Sequence, residues 1–99
     1  MTHLIHRHCH HVPPTVKNGQ GIYLYDQNGK RYLDACGGAA VSNLGHNNQK
    51  IKNAMMRQME ALPFAHSGFF TTDVAEKLAD TLVSVSPSSL NHVYLVSGG

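Results

Sequence analysis

The run Val93-Tyr94-Leu95-Val96, followed by Ser97-Gly98-Gly99, constrains this chain more than any other segment. It is a short continuous apolar stretch of the kind that forms a buried strand, and such a strand needs neighbours on both edges and cover on both faces. The chain contains several unlike segments and stops on Gly98-Gly99 just after this run, with nothing downstream to provide neighbours or cover, so the run is expected to enter a larger sheet. The chain is therefore read as the N-terminal, truncated part of a larger α/β protein.

Composition narrows the class. Hydrophobic residues make up 41% and charged residues 14%, which excludes a disordered acidic or basic tail. The formal net charge of +2 comes from scattered side chains with no basic stripe, so nucleic acid is not an expected partner. No stretch reaches the roughly 20 apolar residues of a membrane span, and the start lacks a signal-peptide core. A soluble, cytoplasmic protein with no membrane partner is the expectation, and Cys9 and Cys36 are read as free thiols.

Residues 1–21 read as a polar, irregular, His-rich arm with His6, His8, His10 and His11 ahead of Pro13-Pro14. Residues 22–62 then hold a hairpin and a first helix. Ile22-Tyr23-Leu24-Tyr25-Asp26 alternates like a half-buried strand, Gln27-Asn28-Gly29-Lys30 supplies a turn with positive φ at Asn28 and Gly29, and Arg31-Tyr32-Leu33-Asp34 returns. Gly37-Gly38 allow close backbone approach, and Ala39–Val41 is a candidate short strand. Over Asn48–Leu62 the residues Ile51, Met55, Met59 and Leu62 recur at helical spacing until Pro63.

Residues 63–99 open with an aromatic loop containing Phe64, His66, Phe69 and Phe70. A second helix is predicted over Thr72–Ser84, with Val74, Leu78 and Leu82 inward and the spacing of a capping box at Asp73 and Glu76. In open α/β sheets ligands sit beyond the carboxyl ends of strands, which makes Ser97-Gly98-Gly99 a candidate anion turn. Neither G-x-G-x-x-G nor a P-loop with its lysine is present.

These residues together resemble the opening of the class III aminotransferases. The likeness lies in Gly21-Ile22-Tyr23-Leu24-Tyr25-Asp26, Gly29-Lys30-Arg31-Tyr32-Leu33-Asp34, Gly37-Gly38 and Leu44-Gly45-His46. It continues through Ile51 to Gln58, Leu62-Pro63-Phe64 with His66 and Phe70, and Val96-Ser97-Gly98-Gly99. The resemblance implies the N-terminal part of a fold type I, pyridoxal 5'-phosphate-dependent transferase: an antiparallel hairpin segment within the small domain, then the start of the large α/β cofactor-binding domain from residue 63. It further implies transfer of an amino group from an amino acid or amine to a 2-oxo acid, and a homodimer with the arm near the substrate entrance.

Site residues follow from the same resemblance. Ser97, Gly98 and Gly99 correspond to the start of the phosphate turn, so they are the candidate cofactor-binding residues. Gly37, Gly38 and Ala39 match a small-residue segment near substrate and cofactor, and Phe69 and Phe70 are candidates to line the cavity. No catalytic residue is assigned. The family's Schiff-base lysine and the carboxylate beside the cofactor nitrogen lie further along the polypeptide, whereas Lys17, Lys30, Lys50, Lys52 and Lys77 fall in the arm, the hairpin turn and helix faces. The isolated chain is expected to be inactive and to need the remainder of its own polypeptide as partner.

The bland readings of other residues are simpler. Asp26 and Asp34 are turn and edge acids, Met55, Met56 and Met59 are core or interface filling, and His46 fixes a turn before a helix. A different class of function is a small stand-alone binding or regulatory module that takes a metal through the N-terminal histidines. Those histidines lack the second ligand pair at loop spacing of structural zinc sites, so no metal residue is assigned.

Overall fold

Three short antiparallel strands in the order β1-β2-β3 form the sheet of this chain: β1 Val16–Gln20, β2 Tyr23–Asp26 and β3 Arg31–Leu33. The structure is a computed structural model and describes residues 2–98. The hairpin of β2 and β3 stands where alternation places it, with Tyr23 opposite Leu33, Leu24 opposite Tyr32 and Tyr25 opposite Arg31. One face carries Tyr23, Tyr25, Arg31 and Leu33, and the Arg31 guanidinium lies 4.4 Å from the Tyr23 ring centroid, a diagonal cross-strand pair.

The hairpin loop differs from the expected primed turn. Gly29 alone carries positive φ (82°), the Gly29 N–H donates to the Asp26 carbonyl at 3.0 Å, and the Asp26 N–H donates to the Lys30 carbonyl at 3.0 Å. This is a three-residue loop closed by a left-handed glycine, and Asn28 needs no positive φ in it.

β1 falls inside the segment expected to be irregular. Asn18, Gly19 and Gln20 pair with Tyr25, Leu24 and Tyr23, with an irregularity between Val16 and Asn18. Its sequence, Val-Lys-Asn-Gly-Gln, shows no alternation because it is an edge strand exposed along most of its length.

The predicted short strand at Ala39–Val41 is replaced by a four-residue helical turn, α1 Gly37–Ala40. Its φ angles are 57°, 60°, 60° and 68°, so the turn is left-handed. Glycine adopts this conformation freely, whereas an L-residue such as Ala39 or Ala40 pays about 1–2 kcal/mol for it.

Both long helices form close to their predicted limits, α2 at Gln49–Ala61 and α3 at Asp73–Val85. Asn48 Oδ1 accepts from the N–H groups of Lys50 (3.1 Å) and Ile51 (3.2 Å), satisfying two donors at the start of α2. At the start of α3 the cap is Thr72, not Asp73. Thr72 Oγ1 accepts from the Ala75 N–H at 3.4 Å, and Glu76 reaches the Thr71 hydroxyl at 2.6 Å instead of closing a capping box.

The chain divides into two compact units, Met1–Arg57 and Gln58–Gly99. Among the described residues no hydrophobic side chain is buried, and Asp26 is the buried polar residue. The helix faces seen in the sequence stay open to solvent: Ile51, Met55, Met59 and Leu62 on and after α2, and Val74, Leu78 and Leu82 on α3. Val93–Val96 forms no strand among the described residues, and Tyr94 is 90% exposed. A strand exists only against a neighbour, and the described residues offer it none. No helix of the described residues is long and apolar enough to cross a membrane.

Candidate functional site

Two carboxylates organise the polar chemistry of the first unit. Asp26 Oδ1 accepts from the N–H groups of Asn28 and Lys30, each at 2.9 Å, and its Oδ2 accepts from the Tyr32 hydroxyl at 3.0 Å. Partial burial pushes the Asp26 carboxyl up, but the Lys30 N–H, the Tyr32 hydroxyl and the Asn28 N–H outweigh it and hold it below its ordinary range. Tyr32 is pushed the other way, by burial and by its bond to Asp26. Asp26 is thus a turn residue, as its sequence position suggests.

The two shifts set a pH window for the hairpin tip. Asp26, lowered on folding, contributes stability that is fully present above its unfolded pKa of about 3.9 and is lost as pH falls through the folded value. Tyr32, raised on folding, contributes stability present below about 10 and lost as pH rises through its folded value. In the complete protein, the Asn28 and Lys30 amides are expected to keep their hydrogen-exchange protection between about pH 4 and about pH 10, and to lose it as pH falls through the folded Asp26 value or rises through the folded Tyr32 value. Loss of protection inside that window contradicts the assignment.

Asp34 serves a different segment. Its Oδ2 accepts from His46 Nε2 at 2.6 Å and from Ser42 Oγ at 3.3 Å, and its Oδ1 accepts from the Gly37 N–H at 3.1 Å, with the Cys36 thiol at 3.6 Å. The His46 hydrogen bond lowers the Asp34 pKa, partial burial opposes it, and the Cys36 and Gly37 donors add to the lowering. His46 is held in turn by the sheet. Its N–H donates to the Gly21 carbonyl at 2.8 Å and its carbonyl accepts from the Gly21 N–H at 3.1 Å. Gly19 packs so close that a Cβ there would stand 2.8 Å from the His46 Cβ.

The expected substrate-side residues Gly37, Gly38 and Ala39 sit together in α1, directly after this carboxylate. In the second unit Phe69 and Phe70 follow a turn anchored by His66. Their N–H groups both donate to the His66 carbonyl at 3.0 Å, and His66 Nδ1 accepts from the Gly68 N–H at 2.9 Å. The Phe69 ring lies 5.2 Å from the imidazole, and both phenylalanines are exposed.

Ser97 and Gly98 follow the Val93–Val96 run, and Gly99 lies outside the described residues. Among the described residues Ser97 and Gly98 donate no hydrogen bond, and a Cβ placed on Gly98 would meet no atom within 4 Å. Backbone N–H groups and a hydroxyl without a partner among the described residues are donors of the kind that a phosphate oxygen can accept from. The amine and the pyridine-nitrogen carboxylate that such a cofactor also requires have no counterpart assigned here. The N-terminal histidines are exposed except for His6, and among the described residues no group of three or more His, Cys, Asp or Glu is arranged to hold a metal ion.

The pairing of Asp34 with His46 is what reading the residues one by one misses. Asp34 reads as an edge acid and His46 as a turn histidine, and the signal that joins them is the return of the chain to Gly21 at the end of β1.

Comparison with known proteins agrees with this geometry. The family described as Aminotransferase class-III matches residues 4–99. An uncharacterized aminotransferase of Schizosaccharomyces pombe is 41% identical over 97 residues, covering 98% of this chain and 21% of that protein. The putrescine–pyruvate aminotransferase of Pseudomonas aeruginosa is 30% identical over 104 residues, covering 91% of this chain and 23% of its own length. This chain thus spans about a fifth of the curated relatives it matches.

Among solved structures, a transaminase from the marine bacterium Virgibacillus superposes with a TM-score of 0.88 at 31% identity, over 98% of this chain and 24% of that one. The omega transaminase of Pseudomonas jessenii in complex with PMP gives 0.71 at 34% identity, over 76% and 17%. The fold is that of the N-terminal portion of an α/β, pyridoxal-phosphate-dependent transaminase. With the family match running through nearly every residue, this chain belongs to the class III aminotransferases.

Proposed function

We propose that this chain is the N-terminal part of a pyridoxal 5'-phosphate-dependent aminotransferase that moves an amino group from an amino acid or amine to a 2-oxo acid. The observation that carries this reading is the family match over residues 4–99. The PMP complex of the Pseudomonas jessenii transaminase supports the cofactor, and the putrescine–pyruvate aminotransferase supports an amine donor and an oxo-acid acceptor.

When bound, the cofactor supplies the electron sink that such transfer needs. The residues of this chain do the holding. Ser97, Gly98 and Gly99 present donors to the cofactor phosphate, Gly37, Gly38 and Ala39 form a close-approach wall, and Phe69 and Phe70 give the cavity apolar lining. The hairpin and first helix belong to the small domain and residues 63–99 open the large one. In this reading the complete protein is cytoplasmic and a homodimer, the dimer being what the family resemblance implies.

The test is made on the complete polypeptide that carries this segment, supplied with cofactor and with amino acids, putrescine or acetylornithine against pyruvate or 2-oxoglutarate. At least one pair is expected to give turnover on the order of 1 s⁻¹ or faster, from a particle of at least two chains by light scattering. No transfer with any pair, or an active monomer, contradicts the reading.

A further inference from the structure

We propose that Asp34 and His46 are a positioning pair that locks the left-handed Gly37–Ala40 turn and so fixes the substrate-facing wall. The inference rests on the reading of that turn as part of the substrate cavity. It starts from strain: four consecutive residues have φ between 57° and 68°, and two of them are alanines, which do not hold such a conformation unaided. Backbone held in a costly region persists only where its surroundings over-determine it, and such regions cluster at functional sites.

The surroundings here converge on one carboxylate. Asp34 takes the N–H of Gly37, the first residue of the turn, at 3.1 Å, and the hydroxyl of Ser42, just beyond it, at 3.3 Å. Both ends of the turn are therefore tied to the same group. Within the turn the Gly37 carbonyl accepts from the Val41 and Ser42 N–H groups at 2.7 and 2.9 Å. His46 orients that carboxylate through the shortest of its bonds, 2.6 Å, and the carboxylate can only accept, so the imidazole proton sits on Nε2.

His46 cannot drift, because its backbone is bridged to Gly21 and its Cβ faces Gly19. The side chains of Asp34 and His46 are 11% and 23% exposed, so the pair is largely shielded from solvent. The chain of contacts runs from the β1–β2 connection through His46 and Asp34 to Gly37. It links the sheet to the turn without passing through the substrate.

The experiment uses the complete protein with His46→Leu, which removes the donor, and His46→Gln, which keeps an N–H donor. Two readouts are taken: amide hydrogen exchange at Ala40, Val41 and Ser42 without added substrate, and KM and kcat for the amino donor. In His46→Leu, exchange at those amides is expected to accelerate about tenfold or more while α3 is unchanged. The KM of the same variant should rise about 10- to 100-fold, with a smaller change in kcat. His46→Gln should recover most of both.

Parental exchange and KM in His46→Leu overturn the proposal, as does equal loss in the Leu and Gln variants, which marks a merely structural role. If His46→Leu does not accumulate, Ser42→Ala decides. It drops one donor to the same carboxylate, faster exchange at Val41 and Ser42 supports the pair, and unchanged exchange overturns it. A wild-type protein that protects these amides yet transfers no amino group defeats the enzyme reading instead, and the substrate wall falls with it.

Discussion

Heated alone, the 99-residue chain is expected to lose its helical signal gradually, with no sigmoidal transition. Cooperative unfolding requires a core whose burial offsets the conformational entropy of the ordered chain, and no described hydrophobic residue is buried here. The local elements cannot stand in for a core. Strands of five, four and three residues make a marginal sheet. The 13-residue helices α2 and α3 sit at the lower edge of what holds together in water without tertiary contacts. A sharp transition with a calorimetric enthalpy near 0.7 kcal/mol per residue would contradict this and favour the stand-alone module.

Leu78→Asp separates the chain's own stability from that of the complete protein within the same prediction. Leu78 lies between Val74 and Leu82 on the apolar face of α3 and is 46% exposed in this chain. A carboxylate there is expected to leave the isolated chain's circular dichroism almost unchanged. In the complete protein, where this face is expected to be covered, it should cost about 3 kcal/mol or more, because an unpaired charge is then buried. Equal effects in both settings would show that α3 is not covered by the rest of the polypeptide.

Local pattern made several elements readable from residues alone. The hairpin follows from the alternation of Tyr23 to Asp26 and from Gly29, and both helices follow from apolar residues three and four apart between clear stops at Pro63 and near Pro87. What was not readable depends on contacts far along the chain. β1 is an edge strand with little alternation to betray it, and its pairing with β2 is what makes it a strand. Ala39 and Ala40 carry no sign of a left-handed turn, because that conformation is imposed by Asp34 from outside the turn. Asp34 and His46 stand 12 residues apart and meet through the return of the chain to Gly21. Val93–Val96 is the converse case: its composition fits a strand, and its geometry waits on partners that the described residues do not contain. Gly99, one of the three residues given to the phosphate turn, lies outside the described residues, so the family resemblance alone carries that assignment.

The location of the lysine that holds the cofactor tests the central claim most directly. Attachment needs an amine held over the cofactor and kept sufficiently deprotonated, with the phosphate gripped at the sheet edge. The five lysines of this chain are placed otherwise. Lys17 lies in β1, Lys50, Lys52 and Lys77 lie on helices, the Lys30 ammonium sits 5.0 Å from the Tyr32 ring centroid, and Lys52 Nζ donates to Asn47 Oδ1 at 2.8 Å. The measurement is borohydride reduction of the complete protein with bound cofactor, followed by peptide mapping, with the isolated 99-residue chain treated in parallel. One lysine outside residues 1–99 should carry the label stoichiometrically, and the isolated chain should show only scattered, substoichiometric labelling. Stoichiometric label on Lys17, Lys30, Lys50, Lys52 or Lys77, with turnover abolished when that lysine is replaced, would contradict the account.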